Sequence, residues 1–384
     1  MTESALTRPG ERDRLSVKLR EFDWRFAGLL ALIAGIGATM LYSVAGQSWA
    51  PWAIDHVTRF AVLLIIMVAL GMLNIRWWYA AAYPLYAFGV LLLVAVDLVG
   101  QTRLGAQRWL AVGPISFQPS EIMKIGIVLA LARWYHGVTP AEARWSWKLL
   151  IPAGMILLPV GLVAKQPDLG TALLIAFTGG TIVVLAGLSW RAILAGVVAA
   201  IVAVPLAVEF LLHDYQRQRI LTFLNPQSDP SGEGYHIVQS MIAIGSGGPM
   251  GRGFGLGTQS QLNFLPEKQT DFIFAAFAEE FGLVGCLTVL ALYIAVIVLA
   301  LRIAATSHSH FGRLAAAGAT ATFAFYVMVN GAMVMGLAPV VGVPMPLMSY
   351  GGTVMMTVML GFGLVESVRV HRYAEVTRSG GALL

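Results

Sequence analysis

The sequence predicts an all-α, polytopic integral membrane protein, and three observations carry that reading. Only 12% of the 384 residues are charged and 58% are hydrophobic, whereas a soluble domain is nearer a quarter charged. Apolar runs of spanning length, about 17–25 residues, recur along the chain. Basic residues fall unevenly between the segments that join those runs. With the N-terminus inside, sixteen Lys and Arg lie on the inner side and eight on the outer, Lys124 being within a run. That bias places both termini in the cytoplasm and accounts for the net charge of +5 without a nucleic-acid partner. The only cysteine, Cys286, sits in an apolar run, which rules out an intrachain disulfide and a cysteine metal cluster.

The apolar runs are near 24–45, 53–73, 79–99, 119–136, 149–164, 170–187, 191–213, 271–301, 314–337 and 347–368, giving about ten transmembrane helices. The first has a basic head and ends in "SVA", faintly like a signal peptide, but its length favours an uncleaved anchor. "KQPDLG" divides the fifth from the sixth. Residues 1–22 and 373–384 are expected as cytoplasmic tails around a transmembrane domain of 23–372. The stretch 214–270, between helices 7 and 8, is the long extracytoplasmic loop. It is rich in Gly, Pro, Asn and Ser, yet Tyr235, Ile237, Val238, Met241 and Ile242 make it too apolar to stay solvated. It is expected to be ordered, partly re-entrant and packed on the outer end of the bundle.

Charges at membrane depth are costly, roughly 2.5–3.5 kcal/mol each at the bilayer centre. The fourth run opens "QPSEIMKIGIVLALARW", with Glu121 and Lys124 three apart on one helix face. The bland reading is a structural ion pair; the sharper one is a polar cavity opening outward. Arg108 and Trp109 in "GAQRWL", Lys165 and Asp168 in "KQPDLGT", and Glu267 and Asp271 in "FLPEKQTDFIFA" reach the same outer side. Both signs converging at one depth point to a site that handles a charged molecule. Glu279, eight positions beyond Asp271, would lie within about 80° of it on a helix wheel and could line the same cavity. Asp97 and Glu209 read as structural groups near helix ends.

No glycine-rich stretch ends in Gly-Lys-Ser or Gly-Lys-Thr, and "GRGFGLG" follows no strand, so nucleotide-binding loops are excluded. The histidines are scattered, with no metal-ligand motif.

With these residues in view, the chain resembles the SEDS family (shape, elongation, division and sporulation), and its RodA branch most of all. The resemblance spans about 20–372. It rests on "GAQRWLAVGPISFQPSEIMKIGIVLALARW", "KQPDLGTALL", "RQRILTFLNPQSDPSGEGYHIVQSMIAIGSGG", "GTQSQLNFLPEKQTDFIFAAFAEEFGLVG" and "PMPLMSYGGT". It implies a peptidoglycan glycosyltransferase that polymerises lipid II at the outer face of the bacterial cytoplasmic membrane. It also implies a class B penicillin-binding protein as transpeptidase partner within an elongation complex. The family's essential loop acid matches Asp271, its fourth-span pair matches Glu121 and Lys124, and its "QPDLGT" acid matches Asp168. Two positions depart: Gln269 stands where the family usually has His, and Thr353 where Ser follows "SYGG".

The chemistry so implied needs a base for an acceptor sugar hydroxyl and positive charge for a lipid pyrophosphate leaving group. Asp271 is the candidate base. Partial desolvation would raise its pKa, whereas a helix N-terminus would oppose the rise. Arg108, Lys124, Arg217, Arg219, Arg252 or Lys268 could neutralise the pyrophosphate, as could a divalent cation, Mg or Mn, bridging it to a carboxylate. Arg108, Trp109, Glu121, Lys124, Asp168 and Glu267 form the expected substrate-binding set. The rival reading is a lipid II flippase using the same charged cavity; composition alone does not separate the two, and the resemblance favours the enzyme. A scaffold is the third reading, and it would tolerate Asp271→Asn.

Overall fold

The computed structural model describes residues 15–103, 106–112, 115–144, 146–210, 214–229 and 232–376. Most of the two expected tails, 1–14 and 377–384, therefore lies outside the described residues, as do 211–213 at the end of the seventh run.

The chain is a bundle of helices. A short α1 (Leu15–Glu21) precedes α2 (Trp24–Val44), α3 (Trp52–Met72) and α4 (Ile75–Val99). Polar caps start several helices. Asp23 accepts from the amides of Arg25 and Phe26 at the head of α2, and Asn74 from that of Arg76 at the head of α4. After α4 the chain forms a small antiparallel meander: β1 (Gln101–Arg103), β2 (Ala106–Val112) and β3 (Ile115–Phe117). The all-α expectation holds for the bulk of the protein, and this meander departs from it. Gln101 pairs with Trp109, and Leu110 with Phe117, so Arg108 and Trp109 lie on the central strand of the ribbon.

Pro119 then opens α5 (Pro119–Gly137), followed by a short α6 (Pro140–Arg144), α7 (Leu150–Lys165), α8 (Leu169–Leu185) and α9 (Trp190–Phe210). The long loop is ordered where described. It holds α10 (Asp214–Leu224), α11 (Glu233–Gly247) and α12 (Thr258–Gln261), and α11 packs on the later helices. Those are α13 (Ile273–Thr306), α14 (His310–Val334) and α15 (Gly352–Val370).

Seven of the described helices are long and apolar enough to cross a membrane: α2, α3, α4, the stretch 147–165 that contains α7, α13, α14 and α15. Shorter apolar helices cover 169–185 and 190–202. In α14 and α15, 61% and 67% of the apolar window is buried, against 22% in α3 and α4. The core is therefore built on α14, α15 and α5, with α3, α4 and α7 presenting apolar faces outward, as a lipid solvent requires.

Two expected spans are corrected at their ends. The eighth begins at Ile273 and is interrupted at Gly282 (φ 63°, ψ −163°), a conformation open essentially to glycine alone. The loop backbone covers the break: the amides of Leu283 and Val284 donate to the carbonyls of Gly248 and Pro249, and those of Arg252 and Gly253 donate to Glu279 and Glu280. The tenth begins at Gly352 instead of 347. Between α14 and α15, residues 339–349 form no regular helix but lie inside the bundle, with Val343, Met345, Leu347 and Met348 all buried.

Candidate functional site

The ends of α8 and α13, the meander and the buried 339–349 stretch meet at one end of the bundle. Three groups of charged residues gather there.

The first surrounds Asp271. It lies in the turn just before α13 and is partly exposed. Glu267 (φ 49°) makes that turn, its carbonyl accepting from the amides of Thr270 (3.0 Å) and Phe272 (3.3 Å). Its carboxylate accepts from the hydroxyl of Thr270 at 2.8 Å. The Asp271 carboxylate accepts no hydrogen bond among the described residues. It lies over Gly342 (φ 67°), where a Cβ would stand 3.7 Å from Oδ2. Burial raises its pKa from 3.8 to about 6, with the negative charge of Glu267 adding to the rise and Arg219 opposing it. Arg219 of α10 is itself paired to Glu233 at 2.6 Å. His236 of α11 sets its ring 5.9 Å from that of Phe272, and burial lowers its pKa.

Two residues that sequence reasoning missed fasten this turn. Asn330, buried in α14, donates through Nδ2 to the carbonyl of Asp271 at 2.8 Å and to that of Val343 at 2.7 Å. The amide of Tyr350 donates to the carbonyl of Gln269 at 2.8 Å. Gln269 thus contributes its backbone, and its side chain reaches back to Glu267 at 3.4 Å.

The second group is the Glu121–Lys124 pair of α5, joined at 2.7 Å and only 2% and 1% exposed. Tyr326 of α14 and Thr357 of α15 close around it. Tyr326 donates to Glu121 Oε2 at 3.1 Å and Thr357 at 2.6 Å, and the Lys124 ammonium bonds the Tyr326 hydroxyl and lies 4.6 Å from its ring centroid. A small cleft adjoins Lys124, lined mostly by apolar side chains, Val128, Phe323, Val358 and Leu364 among them, with Thr322 and Thr357.

The third group ties the meander to the start of α8. Arg108 donates to the carbonyls of Gln166 (3.2 Å) and Pro167 and lies 3.9 Å from Asp168. Asp168 caps α8 through the amide of Thr171 and accepts from Gln118 at 2.9 Å. Trp109 is half-buried beside Arg108 on β2. Lys165 is exposed and pairs with Asp97 at 3.1 Å.

The 339–349 stretch connects the first group with the third. Gly170, the second residue of α8, lies so close beneath Val341 that a Cβ would meet its carbonyl at 2.5 Å, while Asp271 lies over the next residue, Gly342. Glu279 does not join them. Asp271 precedes the helix, so the wheel angle does not relate the two, and Glu279 instead binds the glycine-rich loop. It accepts from the Thr258 hydroxyl (3.0 Å) and the Gln259 amide (3.1 Å). Glu280 likewise accepts from Ser43 (2.5 Å) and the Gly255 amide (3.1 Å).

The fold and these groups define a polytopic membrane protein with a charged site at one end of its helical bundle. The chain belongs to the FtsW/RodA/SpoVE family: the family model described as cell cycle protein matches residues 22–374. It is 48% identical to the peptidoglycan glycosyltransferase MrdB of Escherichia coli over 90% of this chain and 92% of that protein. A solved chain from work on a peptidoglycan synthase complex that coordinates polymerization and crosslinking is similar with a TM-score of 0.78 and 35% identity. That match covers 92% of this chain and 99% of the other. The rod shape determining protein RodA of Thermus thermophilus is similar with a TM-score of 0.68 and 30% identity, covering 92% of this chain and 98% of that one.

Proposed function

We propose that this chain is a peptidoglycan glycosyltransferase that polymerises lipid II into glycan strands for cell elongation, with Asp271 as its base. The observation that carries the assignment is the state of Asp271: a carboxylate with no hydrogen-bond partner among the described residues, raised to about 6 by burial, at the edge of a charged cluster. A bonded carboxylate would be a weaker base, and a fully solvated one would titrate near 3.9.

An acceptor sugar hydroxyl gives its proton to Asp271 as its oxygen bonds to the donor's anomeric carbon. The bond from that carbon to the lipid pyrophosphate breaks on the opposite face, and the leaving oxygen takes the electron pair. Configuration inverts. Arg108 and Arg219 supply cations at the site, and Trp109, Glu121, Lys124, Asp168 and Glu267 complete the substrate-binding set. Among the described residues no three His, Cys, Asp or Glu side chains are grouped to hold a metal ion. A divalent cation, Mg or Mn, would take the pyrophosphate as a ligand alongside the Glu267 carboxylate, as Mg commonly does at phosphate sites, and would neutralise the leaving group.

In this reading the site end faces outward from the bacterial cytoplasmic membrane and both termini lie in the cytoplasm. The seven long helices, α5 and the two shorter apolar helices make ten spans, with 214–270 outside between the seventh and eighth. The partner is a class B penicillin-binding protein that cross-links the strands.

The test is polymerisation of lipid II by the purified protein in detergent, with and without its transpeptidase. Asp271→Asn is expected to lose about 10²–10⁴-fold in rate, the usual worth of a general base, while still folding and binding its partner. Wild-type turnover by that variant would remove Asp271 from the mechanism. Detergent has no sides, so strands formed there cannot come from a flippase.

A further inference from the structure

Asn330 is a single amide within the apolar body of α14, 0% exposed. Both of its side-chain hydrogen bonds among the described residues leave from the same nitrogen and end on carbonyls, that of Asp271 at 2.8 Å and that of Val343 at 2.7 Å. Carbonyls only accept, so the orientation of the amide is fixed: its nitrogen faces these two and its oxygen points away. That oxygen, Oδ1, is buried with no hydrogen-bond partner among the described residues.

A residue that only stabilised α14 would turn its polar group to its own helix, as Thr320 and Thr322 do by donating to the carbonyls four residues back. Asn330 instead reaches out to two segments that no helix holds. One is the turn that carries Asp271. The other is the 339–349 stretch, whose Gly342 lies under the Asp271 carboxylate. A side-chain nitrogen bonded to both sets the spacing between them. The Tyr350 amide fastens the same turn two residues earlier, at Gln269, so the backbone on the near side of Asp271 is also fixed to the stretch leading into α15. The carboxylate itself has no bond to orient it, so its place is set by its backbone. The second hydrogen bond of that backbone anchor comes from Asn330.

We propose that Asn330 is the positioning residue of the base: it holds the Asp271 turn against residues 342–343 so that the carboxylate meets the acceptor hydroxyl. The inference rests on Asp271 acting as that base. A displacement of about 1 Å in a reacting group costs on the order of 10²-fold in rate. Such a loss falls on kcat, because the lipid donor is held by other residues.

The test measures lipid II polymerisation by the full-length purified protein carrying Asn330→Leu, which removes both donors at similar volume. Asn330→Ser keeps one donor in a smaller side chain and serves as the partial rescue. Asp271→Asn and the double variant Asp271→Asn with Asn330→Leu complete the set, and thermal unfolding is followed in detergent for each. The expected result is a kcat about 10²-fold lower for Asn330→Leu, with KM for lipid II within about twofold. Asn330→Ser should fall between it and wild type. In the Asp271→Asn background the Leu substitution should cost nothing further, because the group it acts through is gone. Wild-type kcat in either Asn330 variant, beside an inactive Asp271→Asn, overturns the positioning role and leaves the base in place. A kcat loss that tracks a fall in melting temperature, or a matching rise in KM, also overturns it. Full activity in Asp271→Asn sinks the reading of the base instead, a distinct outcome.

Discussion

The Glu121–Lys124 pair and Asp271 are both charges at the edge of an apolar bundle, and their surroundings are opposite. Glu121 is bonded to Lys124, Tyr326 and Thr357, and both members of the pair are out of solvent. Asp271 is partly exposed, and its carboxylate accepts nothing from the described residues. A buried charge with every valence satisfied is held still and costs heavily to disturb. A half-desolvated carboxylate without partners is free to take a proton and to meet a ligand. Of the two expectations for Glu121 and Lys124, the bonding is that of a structural ion pair, and only Lys124 borders the small, mainly apolar cleft beside it.

The sharpest way to break this contrast is to remove one partner from each region and compare stability with turnover. Glu121→Ala strands the Lys124 ammonium and is expected to cost about 3–5 kcal/mol of stability, read as a lower melting temperature in detergent, with polymerisation falling too. Asp271→Asn should leave that melting temperature near wild type. Glu121→Ala combined with Lys124→Ala should be no worse than Glu121→Ala alone, since the two act as one unit. Additive losses would mean that each has a separate task.

A finer probe is pH. Asp271 works as a base only when ionised, and its pKa is raised to about 6. Polymerisation should therefore be half-maximal near pH 6, level off above it and fall about tenfold per unit below. Glu267→Gln removes a neighbouring negative charge that contributes to the rise, so the half-point should move to lower pH. A profile flat between pH 5 and 8 would contradict the assignment. The smallest effect is expected at Asp168→Ala. It loses the N-cap of α8, worth about 1 kcal/mol, and one of the three contacts of Arg108. A drop of a few degrees in melting temperature with a modest rise in KM for lipid II would fit; inactivity would place Asp168 at the reacting atoms.

Hydropathy made the helices legible, because a lipid solvent demands long apolar runs, and each of the ten runs contains a helix. Their starts were less legible at 347–351, where Pro344, Pro346 and two glycines at 351 and 352 accompany an irregular buried stretch. The meander at 101–117 was hidden because three short strands leave no periodicity to read. Charged residues of the site stood out because charge is expensive at membrane depth. Asn330 did not, since a neutral amide interrupts hydropathy only slightly; its isolation in an apolar run was the available signal. Glu279 misled because a helix wheel presumes one helix, whereas Asp271 lies in the preceding turn.

The break in α13 has a consequence for how the protein opens. The amides of Leu283 and Val284 lie well inside a 34-residue helix, yet their hydrogens go to Gly248 and Pro249. Their exchange with deuterium is therefore set by the lifting of the glycine-rich loop, and not by fraying from either helix end. The same lifting unfastens Arg252 and Gly253 from Glu279 and Glu280.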